Sequence, residues 1–302
     1  MKNIVSVSLG SHSRDHEAAL RLLGEEVRMA RRGCDGDIDA AQEMIRQLDG
    51  QVDAIGLGGI DRYLIVKNNR YEIKDAVRLV DAAQKSPVVD GSGVKDTLER
   101  QIIRDLHRDG IIEPSQSVLM VSAMDRFGMA ETFHSLGYSL VAGDLIFASH
   151  INYPIRSVDE LAELARKLLP ELTRMPFDKL YPVGAVQTEP SDPRFSRYFQ
   201  EADIIAGDFH YIRRYMPEDL SGKLIITNTT TESDWAWLRA AGVRMLVTTT
   251  PLLDGRSFGA NVIEAALVAT SGLSHEDLRW PEVVEQAGLS GSRLPLNDND
   301  GS

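Results

Sequence analysis

The chain has 302 residues, a formal net charge of −12, 43% hydrophobic and 26% charged residues. This length fits one or two domains with material for a real core, and the ordinary composition excludes wholesale disorder. The acidic balance argues against a nucleic-acid or anionic-membrane surface, and a single cysteine, Cys34, excludes an intramolecular disulfide and a Cys-rich metal site.

The amino terminus reads as a strand, Ile4–Leu9, followed at once by charge, without the apolar region or cleavage site of a signal peptide. Nothing approaches 18 consecutive apolar residues, so no spanning helix is expected and a cytoplasmic protein is the default. Further strands are read at Glu26–Arg32 and Val52–Leu57, with a helix at Ile38–Leu48 that Asp37 can cap. Tyr63–Val66 and Tyr71–Ile73 flank Lys67-Asn68-Asn69-Arg70 as a hairpin, since paired Asn tolerates positive φ. A helix at Lys74–Ala83, a strand at Pro87–Val89 and a helix at Gly93–His107 complete the first half.

The Gly, Pro and polar mixture of Asp109–Gln116 marks the domain boundary. Beyond it come strand Val118–Ala123, helix Met129–Leu136, strand Ser139–Phe147 and helix Val158–Leu169, ended by Pro170. A proline-rich region follows, with one short helix at Phe195–Ala202. Strands at Ile204–Ala206, Leu224–Thr227 and Met245–Thr249 then alternate with helices at Tyr211–Tyr215, Ser233–Ala241 and Asn261–Thr270. This alternation predicts two α/β domains, 1–112 and 113–290, with residues 291–302 as a disordered tail. The second domain should be Rossmann-like, a doubly wound, mostly parallel sheet.

Ligands of open α/β sheets bind beyond the carboxyl ends of strands, so the candidate site residues are those that follow each strand. After the first strand, Ser11, Ser13, Arg14 and His16 open a helical stretch and offer hydroxyls, imidazole and a guanidinium clamp for a carboxylate or polyol; capping of that helix is the plainer alternative. Asp61, behind Gly56–Gly59, is a candidate acid or base if it turns inward. Ser92 and Lys95 enter a helix from a Gly-rich loop that lacks Walker spacing, and a buried Lys95 could move a proton.

Ser122, Met124, Arg126 and Gly128 occupy the place of a dinucleotide glycine fingerprint, of which the last glycine alone survives. Asp144, at the end of the next strand, stands where an acid would hold a ribose hydroxyl, which leans toward NAD over NADP. Asp208 and His210 could form an oriented acid–base pair. Thr227, Asn228, Thr229 and Thr249 supply short polar groups suited to a cofactor's ribose, phosphate or carboxamide, and Arg256 sits before the final helix as an anion site. The acids and histidines are too scattered for a metal site.

Together, VSVSLGSHSRDH, GLGGIDRYL, VVDGSGVKDTLER, VSAMDRFGMAE, AGDFHYIRRYMP, ITNTTTESD and TTTPLLDGRSFGANVIEAAL resemble bacterial proteins labelled quinate 5-dehydrogenase, over nearly the whole chain. The resemblance implies NAD(P)-linked oxidation of a cyclic polyol acid, with substrate and Rossmann halves. The N-V-T-x-P-x-K segment of shikimate and quinate dehydrogenases is echoed only by Gly93-Val94-Lys95, and Lys95 is the one catalytic residue it carries over. The leading expectation is therefore an NAD- or NADP-dependent oxidoreductase with a small hydroxy acid between its domains. Lys95, Asp61 and His210 would be catalytic, and a homodimer stays open. The alternatives are a non-redox enzyme acting on a phosphorylated or carboxylated small molecule, and a non-catalytic metabolite-binding protein.

Overall fold

A computed structural model describes residues 1–180, 193–253, 256–273 and 279–297. Its first lobe contains β1 (Lys2–Ser8), a 3-10 turn at His12–Arg14, β2 (His16–Leu22), β3 (Glu25–Gly33), α1 (Ile38–Leu48), β4 (Ala54–Gly58), β5 (Tyr63–Val66), β6 (Asn69–Glu72), α2 (Lys74–Val80) and β7 (Val88–Val89). The sheet order is β2-β3-β1-β4-β7, parallel except for the edge strand β2, and β5-β6 form a separate hairpin. Helix α1 forms as its pattern predicts: the Asp37 carboxylate accepts from the Ala40 N–H at 2.9 Å, and Ala41 and Ile45 turn inward.

No helix follows the first loop. His16–Leu22 alternates half-buried and exposed residues, so its period is that of a strand. Leu23 (φ 49°) and Gly24 (φ 85°) turn it into β3 with the two positive φ angles of a type I′ turn. In the β5-β6 hairpin it is Lys67 that takes positive φ, and Asn69 already belongs to the returning strand.

The chain continues through α3 (Ser92–Arg108), β8 (Ser117–Met120), α4 (Phe127–Ser135), β9 (Ser139–Ala142), α5 (Asp144–Phe147), α6 (Val158–Leu172), α7 (Phe177–Leu180) and α8 (Ser196–Glu201). It ends with β10 (Ile204–Ala206), α9 (Phe209–Tyr215), β11 (Leu224–Thr227), α10 (Glu232–Ala240), β12 (Met245–Thr248), the pair β13 (Leu252–Leu253) and β14 (Arg256–Ser257), α11 (Ala260–Ser271), α12 (Trp280–Gln286) and β15 (Ser292–Pro295).

The second sheet runs β15-β12-β11-β10-β8-β9, parallel except for β15. Both lobes are thus α/β, and the second is doubly wound as expected. Counted from β8, however, its order is 2-1-3-4-5, not the 3-2-1-4 arrangement of dinucleotide domains. The switch point lies between β8 and β10.

Three sequence readings change here. The apolar run after Ala142 does not prolong β9 but turns at Gly143 into α5, because a short apolar run serves strand or helix equally well. Pro170 lies inside α6: the buried stripe Val158, Leu161, Ala165 and Leu169 anchors the helix, and the Thr173 hydroxyl donates to the Leu169 carbonyl at 2.8 Å. Residues 292–295 are no tail but the antiparallel edge strand β15, paired with β12, and Leu296 is buried behind it; residues 298–302 lie outside the described residues.

Packing also redraws the division at 112. Ile4, Val27 and Met29 of the first sheet share one core with Phe258, Val262, Ile263, Leu267, Trp280 and Val284. Residues 258–273 and 280–289, assigned by sequence to the second domain, therefore cover a face of the first sheet, while α1 and α2 cover the other. The chain crosses between lobes at Gly91, again at Gly259 and once more before β15, and the first two crossings touch. Gly91 has φ 90°, and a Cβ on it would lie 2.3 Å from the Asn261 backbone nitrogen. Gly91→Ala is expected to destabilise by roughly 1–3 kcal/mol from backbone strain, before any clash is counted. A urea midpoint equal to that of the wild type would show that the crossings are not held in this contact.

Candidate active site

The carboxyl ends of both sheets open onto one cleft of about 340 Å3. From the first lobe it receives Ser8 at the end of β1 and Gly10 beyond it, Gly59 and Asp61 after β4, and Asp90 after β7. The Asp90 carboxylate accepts from the N–H groups of Arg62 (2.7 Å), Tyr63 (3.1 Å) and Ser92 (3.1 Å), which fixes the Asp61 loop against the start of α3. Lys95 stands one turn into that helix.

Lys95, Asp61 and Asp125 meet in the wall of the cleft. The Lys95 Nζ lies 2.7 Å from Asp125 and 3.4 Å from Asp61, so one ammonium from α3 joins a carboxylate of each lobe. Behind them the buried Arg126 bonds the buried Glu99, with Asp208 at 3.6 Å and Asp125 at 3.8 Å. Its Nε has no hydrogen-bond partner.

The charges divide the carboxyls. Burial drives Asp61 up, Lys95 opposes it, and the neighbouring Asp125 and Asp90 add to the rise, to about 7. Burial works the same way on Asp125, but Lys95 and Arg126 outweigh it and hold Asp125 at about 2. Burial alone would lower Lys95; Asp125 and Asp61 reverse that and keep it above an ordinary lysine. Glu99 is raised by burial, against the pull of Arg126.

Of the expected substrate residues, Arg14 and His16 line the cleft. Arg14 reaches across it, its Nη1 lying 3.2 Å from His210 Nε2, and His16 packs on Phe258 with ring centroids 4.7 Å apart. Ser11 and Ser13 do not line it: their hydroxyls pair with each other at 2.9 Å, and Arg31 ties the loop through the Ser11 carbonyl and Asp15. Ser92 lies behind Lys95, in a small cavity of about 20 Å3.

Asp208 and His210 are not a carboxylate–imidazole pair. Asp208 accepts from the His210 backbone N–H at 2.8 Å and from the Asn228 amide at 3.1 Å, as the N-cap of α9. Burial raises this carboxyl, but His210 and Arg126 prevail and keep it low.

The expected fingerprint does not fit a pyrophosphate. A dinucleotide would need free N–H groups in the loop after β8, yet the N–H of Ala123 and Met124 donate to the Asp144 carboxylate at 2.8–3.1 Å. Asp144 thus fills the anion nest of the neighbouring loop rather than holding a ribose; burial raises it to about 6 despite these bonds. Met124 is packed in the core, and the Ser122 hydroxyl accepts from the Asp208 N–H at 3.2 Å. Gly128 allows α4 to approach the Asp96–Arg100 pair of α3.

The buried Thr227 hydroxyl is spent on the Gly207 carbonyl, whereas Asn228, Thr229 and Thr249 line the cleft. The Arg256 side chain lies outside the described residues. Among the described residues no three His, Cys, Asp or Glu side chains gather to hold a metal ion, and no helix is long and apolar enough to cross a membrane.

Sequence reasoning did not select Asp125, Glu99, Tyr211, Phe258 or Asn261, all of which line the cleft. Glu99 carried a usable signal, four residues after Lys95 and so on the same helical face. Asn261 comes to the cleft through the crossing of the chain, which brings its amide to the Ser6 hydroxyl at 2.7 Å.

Family models described as Domain of unknown function (DUF8753) and Domain of unknown function (DUF8754) match residues 3–90 and 93–291. No curated protein sequence matches. Among solved structures, a glucose-galactose binding protein from Geobacillus stearothermophilus is similar at 11% identity, covering 99% of each chain with a TM-score of 0.40. A sugar ABC transport substrate-binding protein from Bordetella parapertussis is 11% identical over 100% of this chain and 91% of that one, TM-score 0.38. A glutamate dehydrogenase from Thermus thermophilus is 12% identical over 95% and 73%, TM-score 0.43.

Proposed function

We propose that this chain, which belongs to the family described as Domain of unknown function (DUF8754), recognises a small polyhydroxylated molecule in the cleft between its lobes. The observation that carries this reading is the mixed set of donors and acceptors in one cleft: Asp61, Asp125 and Asp208 beside Lys95, Arg126 and Asn228. A hydroxyl both donates and accepts, so each one can bridge a carboxylate and a neighbouring cation or amide. A phosphate only accepts, and here it would face several carboxylates at once. Phe258 and Tyr211 add apolar faces for the C–H side of such a molecule. A quinate-like hydroxy acid belongs to the same chemical class, and recognition of this kind needs no dinucleotide.

Thermal unfolding with a panel of sugars, cyclitols and cyclic polyol acids, beside NAD and NADP, tests the reading. A ligand at 100 times its Kd adds ~2.7 kcal/mol, a rise in Tm on the order of 5 °C. Stabilisation by a polyol and none by the dinucleotides is the expected result. A shift produced by NAD or NADP alone would overturn it.

A further inference from the structure

The geometry points to a proton-transfer activity of this cleft on a bound α-hydroxy ketone or α-hydroxy aldehyde, with Asp61 moving the proton and the Lys95 ammonium holding the carbonyl oxygen. This rests on the polyol reading above and narrows it to sugars that carry a carbonyl.

Four observations support it. Asp61 and Lys95 come from different elements, line the same cleft and lie 3.4 Å apart, close enough to serve adjacent atoms of one substrate. Asp125 grips the far side of the same ammonium at 2.7 Å, so Lys95 is fixed in place and stays charged, as an electrostatic partner for a developing enolate must be. Burial raises Asp61 while Lys95 and Arg126 hold Asp125 down, which separates the two carboxyls in proton affinity. Asp61 changes its protonation near neutrality while Asp125 remains ionised, the division expected when one group must both take and return a proton. Finally, Lys95, Asp125 and Arg126 form a wall with the cleft on one side and the 20 Å3 cavity on the other, enough for about one water beside the ammonium.

The step balances without a redox partner. The Asp61 carboxylate removes a proton from the hydroxyl-bearing carbon next to the carbonyl. That C–H pair becomes the carbon–carbon double bond of an enediolate, and the carbonyl π pair moves to oxygen, whose negative charge the Lys95 ammonium balances. The proton of the other enediolate hydroxyl passes to that oxygen as the new carbonyl forms, and the Asp61 acid delivers its proton to the neighbouring carbon. Substrate and product are isomers, and both side chains end as they began.

Deuterium wash-in tests the proposal. The full chain is incubated in D2O with dihydroxyacetone, D-xylulose or D-fructose, and carbon-bound deuterium is followed by NMR. Thermal unfolding is recorded with the same compounds and with myo-inositol and sorbitol, which lack a carbonyl. The expected result is stabilisation by at least one ketose, with wash-in above the buffer rate. Asp61→Asn should lower that wash-in by at least ~100-fold; Asp61→Glu, which keeps a carboxylate, should recover part of it and carries the test if the Asn variant does not fold. Stabilisation by ketoses without wash-in, or by the carbonyl-free polyols alone, would overturn the proton transfer and leave polyol recognition standing. No stabilisation by any of these compounds would remove both. Wash-in by Asp61→Asn at the wild-type rate would exclude Asp61.

Discussion

Arg126→Met is expected to destabilise the fold by about 3–5 kcal/mol, measured as a loss of urea stability at neutral pH. The guanidinium is 4% exposed and faces the fully enclosed Glu99, with Asp125 and Asp208 near it. Without it Glu99 is a buried carboxyl lacking its cation, beside two further acids. The cost comes from stranding that charge rather than from losing an attractive pair. Removing both partners, as Glu99→Leu with Arg126→Met, should therefore restore much of the stability, since hydrophobic replacements of buried ion pairs are often close to neutral. Asp125 keeps Lys95 in that double variant, and Asp208 keeps Asn228. A single variant that loses less than about 1 kcal/mol would mean that Glu99 simply takes up a proton and that the pair does not organise the wall of the cleft.

Glu264 gives the second large effect, and it depends on pH. Its carboxyl is fully enclosed on α11 and accepts from the Val94 N–H at 2.9 Å; the other oxygen has no partner. Burial raises it, Asp90 adds to the rise, and the N–H groups at the start of α3 only partly offset them, leaving it at about 8. In the unfolded chain a glutamate titrates near ~4.3. Between these values the unfolded state has released a proton that the native state retains, so stability falls as pH rises. The slope is about 1.4 kcal/mol per pH unit, on the order of 4 kcal/mol in all by pH 8. Below the unfolded value the penalty is absent. Glu264→Gln keeps a carbonyl oxygen for Val94 and removes the titration. Its urea stability should resemble the wild type at pH 5 and exceed it by on the order of 4 kcal/mol at pH 9. Parallel profiles for the two proteins would sink this assignment.

What could be read from the sequence follows how local each determinant is. Helix α1 was legible because its spacing and its Asp37 cap lie within a dozen residues. Strands β10 and β11 were legible as apolar runs between breakers. Strand β2 was not, because His16, Glu17 and Arg21 interrupt its apolar alternation on an edge that tolerates charge. In the site, reading the residues after each strand found Asp61, Lys95, Arg126, Asp208 and Asn228, since the carboxyl-end rule depends on fold class alone. It misplaced Asp144, whose carboxylate turns back into the neighbouring loop, and Ser11 and Ser13, whose loop is held by Arg31 from a different strand. Those are tertiary choices among polar groups of similar chemistry, and nothing in the local pattern separates them. The contribution of α11 to the first lobe was beyond reach for the same reason.

That contribution bears on how the protein is made. During synthesis the first sheet leaves the ribosome long before α11 and α12, which supply the apolar cover for one of its faces. The second lobe's parallel strands β8, β9, β10, β11 and β12 are complete by Thr248 and can assemble as they emerge, whereas the earlier half must wait with an open side. The amino-terminal portion is thus made first and finished last, and for that interval its uncovered strands are surface that a chaperone would shield and a neighbouring nascent chain could capture.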